Sequence, residues 1–268
     1  MKVLIFGPNG MLGRTLVRLL SADDNISVIT LSRNDIDLSD CTLMSLKNAV
    51  SSIAPDFVVN CAGVIKQRQN IPIHQMVQVN TLVPLWLEDI SMKLGCKFIH
   101  FTTDCVYDGQ TGSYDEMSEH SARDAYGMSK SLGEPSGSIT IRSSIIGEEA
   151  TNKLSLLEVV RGNAGKKMLG YTNHIWNGMT CLEAAKLIKR IIHTPDLQYV
   201  GVRHFYSNSV SKYNLISIIN EVYSLEIEVI PHLATNQIDR TLTSIYKENR
   251  MVTSIKEQVE EQMLFWKS

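Results

Sequence analysis

Short β-branched runs alternate with stretches of helical periodicity through the first half of the chain. Lys2–Phe6 reads as a buried strand, and apolar residues at helical spacing follow from about Met11 to Leu20. Ser27–Leu31 predicts the next strand, Leu43–Ile53 a helix, and Asp56–Cys61 a third strand. A long helical stretch runs from about Ile73 to Leu94, and Lys97–Thr102 is again strand-like. An irregular segment rich in Gly, Ser and Asp leads into a helix over Ala122–Glu134, which Pro135 stops. Ser138–Arg142 gives one more strand.

Continuous apolar strands separated by helices imply a parallel sheet covered on both faces. The expected fold class is α/β, a doubly wound (Rossmann) parallel sheet, with a smaller C-terminal substrate-binding lobe. Beyond about Ile146 the rhythm loosens. Helices are expected at Lys153–Arg161, Cys181–His193 and Ser211–Leu225, and strands at Val202–Tyr206 and Ile227–Ile230. Glu257–Phe265 reads as an amphipathic terminal helix that packs or docks. The domain expectation is a dinucleotide-binding unit over 1–145 with a returning segment at about 172–205. The lobe is then woven from about 146–171 and 206–268, closing over the carboxyl edge of the sheet, where open α/β sheets bind ligands.

Composition narrows the class. The chain has 268 residues, 44% of them hydrophobic and 20% charged, enough to bury a full-sized core. A net charge of −2 without a basic run argues against a nucleic-acid surface. No apolar run reaches the ~18–20 residues that cross a bilayer. MKVLIFGPNG meets Gly and Pro too early for a secretory signal. Five cysteines (Cys41, Cys61, Cys96, Cys105, Cys181) without C-x-x-C spacing favour neither zinc nor a disulfide scaffold, so the expectation is no metal and a cytoplasmic setting.

The first chemistry lies directly after the first strand. Gly7, Gly10 and Gly13 form a G-x-x-G-x-x-G turn, Gly7-Pro8-Asn9-Gly10-Met11-Leu12-Gly13, ahead of a helix. Such a turn lets backbone amides approach a pyrophosphate, and the helix aims its partially positive end at it. Gly7, Asn9, Gly10, Met11, Leu12 and Gly13 are therefore candidate dinucleotide contacts. After the second strand, where an acid reads the ribose hydroxyl in NAD binders, this chain has Ser32-Arg33-Asn34, with no acid before Asp35. A guanidinium matches a phosphate dianion, so Ser32 and Arg33 point to NADPH, with NADH possible if Asp35 bends back to the ribose. Arg33 as a solvated surface charge is the alternative. The small residues Cys61, Ala62 and Gly63 at the third strand's end allow adenine and ribose to lie against the backbone.

The second chemistry is Tyr126-Gly-Met-Ser-Lys130, a phenol and an ammonium one helical turn apart. Thr102-Thr103-Asp104 stands at the carboxyl end of the preceding strand. Reducing a ketone leaves an alkoxide to be protonated. The expectation is that Lys130 lowers the phenol toward working pH, so that Tyr126 serves as general acid in reduction and base in oxidation. Lys130 would also hold the nicotinamide ribose, and a Thr hydroxyl would orient the carbonyl. A half-exposed helix with a solvated lysine is the bland alternative.

The segments GPNGMLG, DLSD, VVNCAGVI, FTTDCVYDG, YGMSK with LGE, and IRSSIIG together resemble the extended short-chain dehydrogenase/reductases, most nearly their dTDP-4-dehydrorhamnose reductase branch. The likeness covers most of the chain, more firmly to about residue 147. It implies a catalytic group of Thr103, Tyr126 and Lys130, and cofactor contacts at the glycine turn and at Asp37-Leu38. CAGVIKQR departs from the alanine-rich run of the rhamnose enzymes, and NHIWNGMT from their aromatic and proline pattern. Both look more like reductases of UDP-linked 2-acetamido-2,6-dideoxy-hexos-4-uloses, which make UDP-N-acetyl-L-rhamnosamine. The implied function is NADPH-dependent reduction of the C4 ketone of a UDP- or dTDP-linked 6-deoxyhexosulose, by a monomer or homodimer that engages neither nucleic acid nor membrane.

Substrate contacts are expected at Cys105, Trp176, Asn177 and Arg240. Trp176 would stack on the base or pack the lobe, and Arg240 would clamp the diphosphate or stay a surface arginine. Lys66 and Arg68 are further clamp candidates or solvated charges. His174 lies beside Trp176, and His100 reads as a hydrogen-bonded core residue. Cys105 follows the catalytic segment but has no base to activate it. Rival functions in this fold are a sugar-nucleotide epimerase or dehydratase with retained NAD, and a non-catalytic NADP-binding regulatory subunit.

Overall fold

The sheet begins where the hydrophobic runs place it. The computed structural model describes residues 1–65, 71–151, 153–246 and 253–268. Among these, the elements of the first half are β1 (Lys2–Phe6), α1 (Met11–Ser21), β2 (Ser27–Leu31), α2 (Leu43–Ile53), β3 (Phe57–Asn60), α3 (Ile73–Val77), α4 (Val83–Leu94), β4 (Lys97–Thr102), α5 (Ala125–Leu132) and β5 (Ile139–Arg142). The second half adds β6 (Ile145–Ile146), α6 (Leu156–Arg161), β7 (Lys167–Tyr171), β8 (His174–Trp176), β9 (Met179–Thr180), α7 (Cys181–His193), β10 (Gly201–His204), β11 (Val210–Ser211), α8 (Lys212–Tyr223), β12 (Glu228–His232), β13 (Ile238–Asp239) and α9 (Ile255–Lys267).

Six strands pair in the order β10-β5-β4-β3-β1-β2, every pair parallel. The strand order reverses between β1 and β3, which is where an open α/β sheet opens its ligand crevice. One face packs Leu12, Leu16 and Leu20 of α1 against Ala184, Ile188 and Ile191 of α7. The other packs Leu46 and Val50 of α2 against Val83, Leu87 and Ile90 of α4. This is the doubly wound α/β fold that the alternation implied.

The lobe has its own core, in which Ile146, Leu157, Val160, Trp176, Leu215, Ile219, Ile255 and Val259 are buried together. Its small sheets join distant segments: β12 with β7, and β8 with β11 and β13. Within the segment expected to return from about 172, His174–Trp176 pairs with Val210–Ser211 and Ile238–Asp239, Met179–Thr180 pairs with Ile145–Ile146, and α7 packs on the main sheet. The strand expected at Val202–Tyr206 is β10, the sixth strand of the main sheet.

The long helix expected over Ile73–Leu94 contains a π-helical turn at Gln78–Leu82 between α3 and α4. Pro84 stands in the first turn of α4, and a proline has no N–H to give to the turn before it. Asn80, in the widened turn, is bonded on both sides: its amide accepts from Val64 N–H at 2.8 Å and donates to Val64 C=O at 3.0 Å and to Ser129 Oγ at 3.1 Å. The helix expected from Ala122 starts at Ala125, because Asp124 is its N-cap and accepts from Gly127 N–H at 3.1 Å.

Candidate active site

The glycine turn is dictated by sterics. Gly7 has φ +73°, and a Cβ there would lie 2.7 Å from the Ala62 nitrogen. A Cβ on Gly13 would stand 2.1 Å from the Gly7 carbonyl oxygen, so the helix can approach the strand only without one. Gly10 is the N-cap of α1, whose first turn has no acidic residue, and Met11 and Leu12 open the helix behind it. The Gly10 N–H turns back to the Gly7 carbonyl at 3.1 Å, and the positive helix end with backbone bare of side chains fits the pyrophosphate of a dinucleotide. Ala62, from the adjacent strand end, forms the floor against Gly7.

The reactive group assembles at the carboxyl ends of β3 and β4. Thr103 follows β4; its hydroxyl donates to Asp104 Oδ1 at 3.2 Å, accepts from Cys105 N–H at 3.1 Å, and is hydrogen-bonded to the Tyr126 phenol. Gly127 permits this: a Cβ there would be 2.4 Å from the Cys105 carbonyl, so α5 presses directly on the turn carrying Thr103. Lys130 is buried, and a Cβ on Gly63 would come within 2.9 Å of its Nζ. Through Gly63 and Ala62 the lysine thus adjoins the glycine turn. Thr103, Tyr126 and Lys130 are brought together beside the cofactor cradle.

The electrostatics differ from the expectation in one respect. Burial pushes the Tyr126 phenol well above its ordinary pKa, with Cys105 as the next cause; the Thr103 hydrogen bond offsets part of the rise, and Lys130 contributes none of it. The ammonium is itself desolvated, which lowers Lys130 to about 8 against an opposing pull from Glu134. The buried His100 imidazole is held neutral, its Nδ1 at 3.2 Å from the Asn60 amide nitrogen and its Nε2 without a partner among the described residues.

A pH dependence follows. The folded state releases the Lys130 proton near pH 8 and the unfolded state near 10.5, so the unfolded chain holds more protons between these values. The stability due to Lys130 therefore rises with pH across that window, at up to about 1.4 kcal/mol per pH unit. Denaturant unfolding of the protein and of Lys130→Met should show a stability difference that slopes upward from pH 8 to 10.5. A flat difference would contradict a buried, desolvated ammonium.

The β2 end is bound up in local turns. Ser32 donates its N–H and hydroxyl to Asp35 at 2.8 and 2.7 Å, so Asp35 is engaged there. Arg33 Nε lies 3.4 Å from Asp37, and both side chains are largely exposed. Asp37 also accepts from Ser39, and Leu38 packs into the core beside α2. The Cys61 thiol is raised to about 12 by burial, against the pull of Lys130.

The residues expected to touch substrate sort differently. Trp176 is 4% exposed within the lobe core, with Lys212 Nζ 5.2 Å from its ring centre, so packing rather than base stacking describes its place. Asn177 spends its amide on the backbone, donating to Leu242 C=O at 2.7 Å and accepting from Leu242 N–H at 2.9 Å. Asn177→Ala should lower the unfolding free energy by about 2 kcal/mol, since two buried backbone groups lose partners; an unchanged denaturation midpoint would contradict that role. Arg240 donates to the Tyr107 and Asp108 carbonyls at 2.9 and 3.1 Å, so part of its fork is committed to the protein. Cys105 points its thiol at Asp104 at 3.5 Å and is raised to about 12 by burial, which removes it as a nucleophile. His174 Nε2 meets the Asn236 carbonyl at 3.1 Å. Lys66 and Arg68 lie outside the described residues.

Sequence reading missed Asn80, Gly127, Asp104 and Lys212. Burial raises the Asp104 carboxyl, and the charges of Arg240 and Lys212 oppose the rise. Burial lowers the Lys212 ammonium. The two side chains are close enough for each to oppose the effect of burial on the other. Gly127, inside YGMSK, and Asp104, inside FTTDCVYDG, stood within motifs already singled out, but neither was given a role of its own.

Comparison with known proteins covers the same elements. The family described as RmlD substrate binding domain matches residues 1–145. A dTDP-4-dehydrorhamnose reductase of Aggregatibacter actinomycetemcomitans is 27% identical over 135 residues, covering 50% of this chain and 45% of that protein. One from Burkholderia thailandensis is 33% identical over 137 residues, covering 50% and 44%. The chain thus spans less than half the length of these relatives. The crystal structure of dTDP-4-dehydrorhamnose reductase from Bacillus anthracis in complex with NADP superimposes with a TM-score of 0.82 at 18% identity, covering 98% of each chain. At that identity the superposition establishes the fold.

Proposed function

Because the chain belongs to the RmlD substrate-binding-domain family, whose relatives are dTDP-4-dehydrorhamnose reductases of the extended short-chain dehydrogenase/reductase kind, we propose that it is an NADPH-dependent sugar-nucleotide 4-ketoreductase. The substrate is a nucleotide-linked 6-deoxy-4-ketohexose. The carrying observation is that Thr103, Tyr126 and Lys130 meet next to the glycine turn, with Lys130 Nζ against Gly63.

The Gly7–Gly13 turn and the first turn of α1 would hold the cofactor, with Cys61, Ala62, Gly63 and Lys130 as further contacts. When bound, NADPH supplies the hydride. Thr103 and Tyr126 orient the ketone by hydrogen bonds to its oxygen. The Tyr126 phenol, kept protonated by burial, gives its Oη proton to that oxygen as charge develops. A raised phenol suits the reducing direction, in which the tyrosine is the acid. Lys130 supplies positive charge beside the developing alkoxide and holds the cofactor.

The finer reading is a UDP-linked 2-acetamido-2,6-dideoxy-hexos-4-ulose, supported by CAGVIKQR and NHIWNGMT in place of the rhamnose patterns. The chain is incubated with NADPH and a panel of UDP- and dTDP-linked 4-uloses, with loss of NADPH absorbance followed and the product identified by NMR. Stoichiometric NADPH oxidation with a new C4 alcohol is expected. No oxidation across the panel would overturn the activity, and release of tightly bound NAD on denaturation would favour an epimerase or dehydratase.

A further inference from the structure

A cleft of about 570 Å³ opens beside the cofactor cradle, between α1, the edge strand β2 and the end of α9, where Pro8 and Asn9 of the glycine turn meet Ser32, Asp35, Arg14, Arg18 and Trp266. Two cations meet here. The Arg14 guanidinium lies 4.1 Å from the Trp266 ring centre, and that of Arg18 lies 4.8 Å from the Phe265 ring centre. Arg18 donates to Ser268 Oγ at 3.3 Å. Among the described residues, no carboxylate is within ion-pair distance of either arginine and nothing accepts a hydrogen bond from Arg14. The Trp266 indole N–H is likewise buried without a partner among them. The nearest acid in the cleft, Asp35, takes its hydrogen bonds from Ser32.

Stacking uses the face of a guanidinium and leaves its in-plane N–H donors directed outward, the arrangement that grips a phosphate. The cleft lies at the carboxyl end of β2, where a β-α-β unit receives the adenosine ribose. Arg33, the residue the sequence offered for that phosphate, is paired with Asp37 at 3.4 Å and projects into solvent.

On the reading that the chain uses NADPH, we propose that Arg14, held over the Trp266 ring and assisted by Arg18, is the residue that recognises the 2′-phosphate of the cofactor, and that Arg33 is not. The C-terminal helix thereby takes part in cofactor choice.

Dissociation constants for NADPH, NADH and 2′,5′-ADP are measured by calorimetry for the unaltered protein, Arg14→Ala, Arg14→Lys and Arg33→Ala. Arg14→Ala should weaken NADPH and 2′,5′-ADP by about tenfold to a hundredfold, the loss of charge-assisted hydrogen bonds, with NADH changed by less than about threefold. Arg14→Lys, which keeps the charge without the planar fork, should fall between, and Arg33→Ala should leave the NADPH-to-NADH ratio unchanged. The assignment is overturned if Arg33→Ala alone shifts that ratio, or if Arg14→Ala weakens both dinucleotides equally, as a purely structural stack would. Arg14-dependent NADPH binding without ketone reduction would sink the reaction and leave this site standing. Arg14-independent binding in an active reductase would do the reverse.

Discussion

Tyr126→Phe should lower turnover about 10³-fold on the 4-keto substrate while NADPH still binds. The phenol is the group placed to give a proton to the ketone oxygen, and a positioned general acid contributes on the order of 10²–10⁴. Its replacement leaves the ring in place beside the tight contact that Gly127 makes with the Cys105 carbonyl, so packing survives. The cofactor cradle is built from other elements and should be untouched. Stopped-flow turnover with calorimetry of NADPH checks both parts. Turnover within about tenfold of the unaltered protein, below the usual contribution of such an acid, would remove Tyr126 from the chemistry. Tyr126, raised by burial, should stay protonated from pH 7 to 9, so a fall in reduction rate over that range should follow loss of the Lys130 proton near 8 and be absent from Lys130→Met.

The largest effect on stability is expected at Arg142, a residue to which the sequence analysis gave no role. Its guanidinium is buried on β5 and forms a bidentate pair with Glu134, with Nε at 2.9 Å from one carboxylate oxygen and Nη2 on the other. It also donates to the Tyr107 hydroxyl at 2.7 Å, to His204 Nε2 at 2.6 Å and to His120 Nε2 at 2.7 Å. Arginine has only donors, so both imidazoles accept through Nε2 and carry their proton on Nδ1. Nδ1 of His204 then donates to the Thr243 carbonyl at 2.9 Å, and that of His120 to Ser131 Oγ at 2.6 Å. Burial, reinforced by Arg142, lowers the His204 pKa; burial also lowers that of His120, with Arg142 adding to it and Glu134 opposing. Arg142→Met strips the partner from the buried Glu134 carboxylate and should cost about 3–5 kcal/mol, or roughly 10 °C in melting temperature. Arg142→Met with Glu134→Leu should recover part of the loss, since an apolar pair leaves no orphaned charge. A single variant that melts with the unaltered protein would refute the network.

What the sequence disclosed is what local physics controls. Lys2–Phe6 and Lys97–Thr102 are buried from their second residue to their last because helices cover both sheet faces, and their bounds were read to the residue. The glycine spacing announced a turn whose steric need is plain at Gly7 and Gly13. The π turn at Gln78–Leu82 was hidden, because hydrophobic period does not register one extra residue when Asn80 bonds across to Val64 and Ser129. The short strands β7 and β8 were illegible, since their partners lie far along the chain and no local pattern specifies a pairing at that range. Trp176 and Asn177 showed the same limit from the other side: an aromatic and an amide suggested a ligand, and tertiary packing absorbed both. The depression of the Tyr126 pKa failed for a related reason. Sequence spacing gives a neighbour, but burial decides the energy of a charge.

The interleaving of the lobe bears on how the polypeptide comes to be folded. Lys167–Tyr171 is zipped to Glu228–His232, and His174–Trp176 is flanked by Val210–Ser211 and Ile238–Asp239. A nascent chain emerging from the ribosome can close β1 through β5 long before any of these partners exist. The lobe waits for α9 to be made, because Ile255 and Val259 complete its core and Trp266 reaches back to Arg14. The wall that α9 adds beside the glycine turn is therefore completed only after β1 through β5 have closed, and a polypeptide cut short before α9 would carry the glycine turn without it.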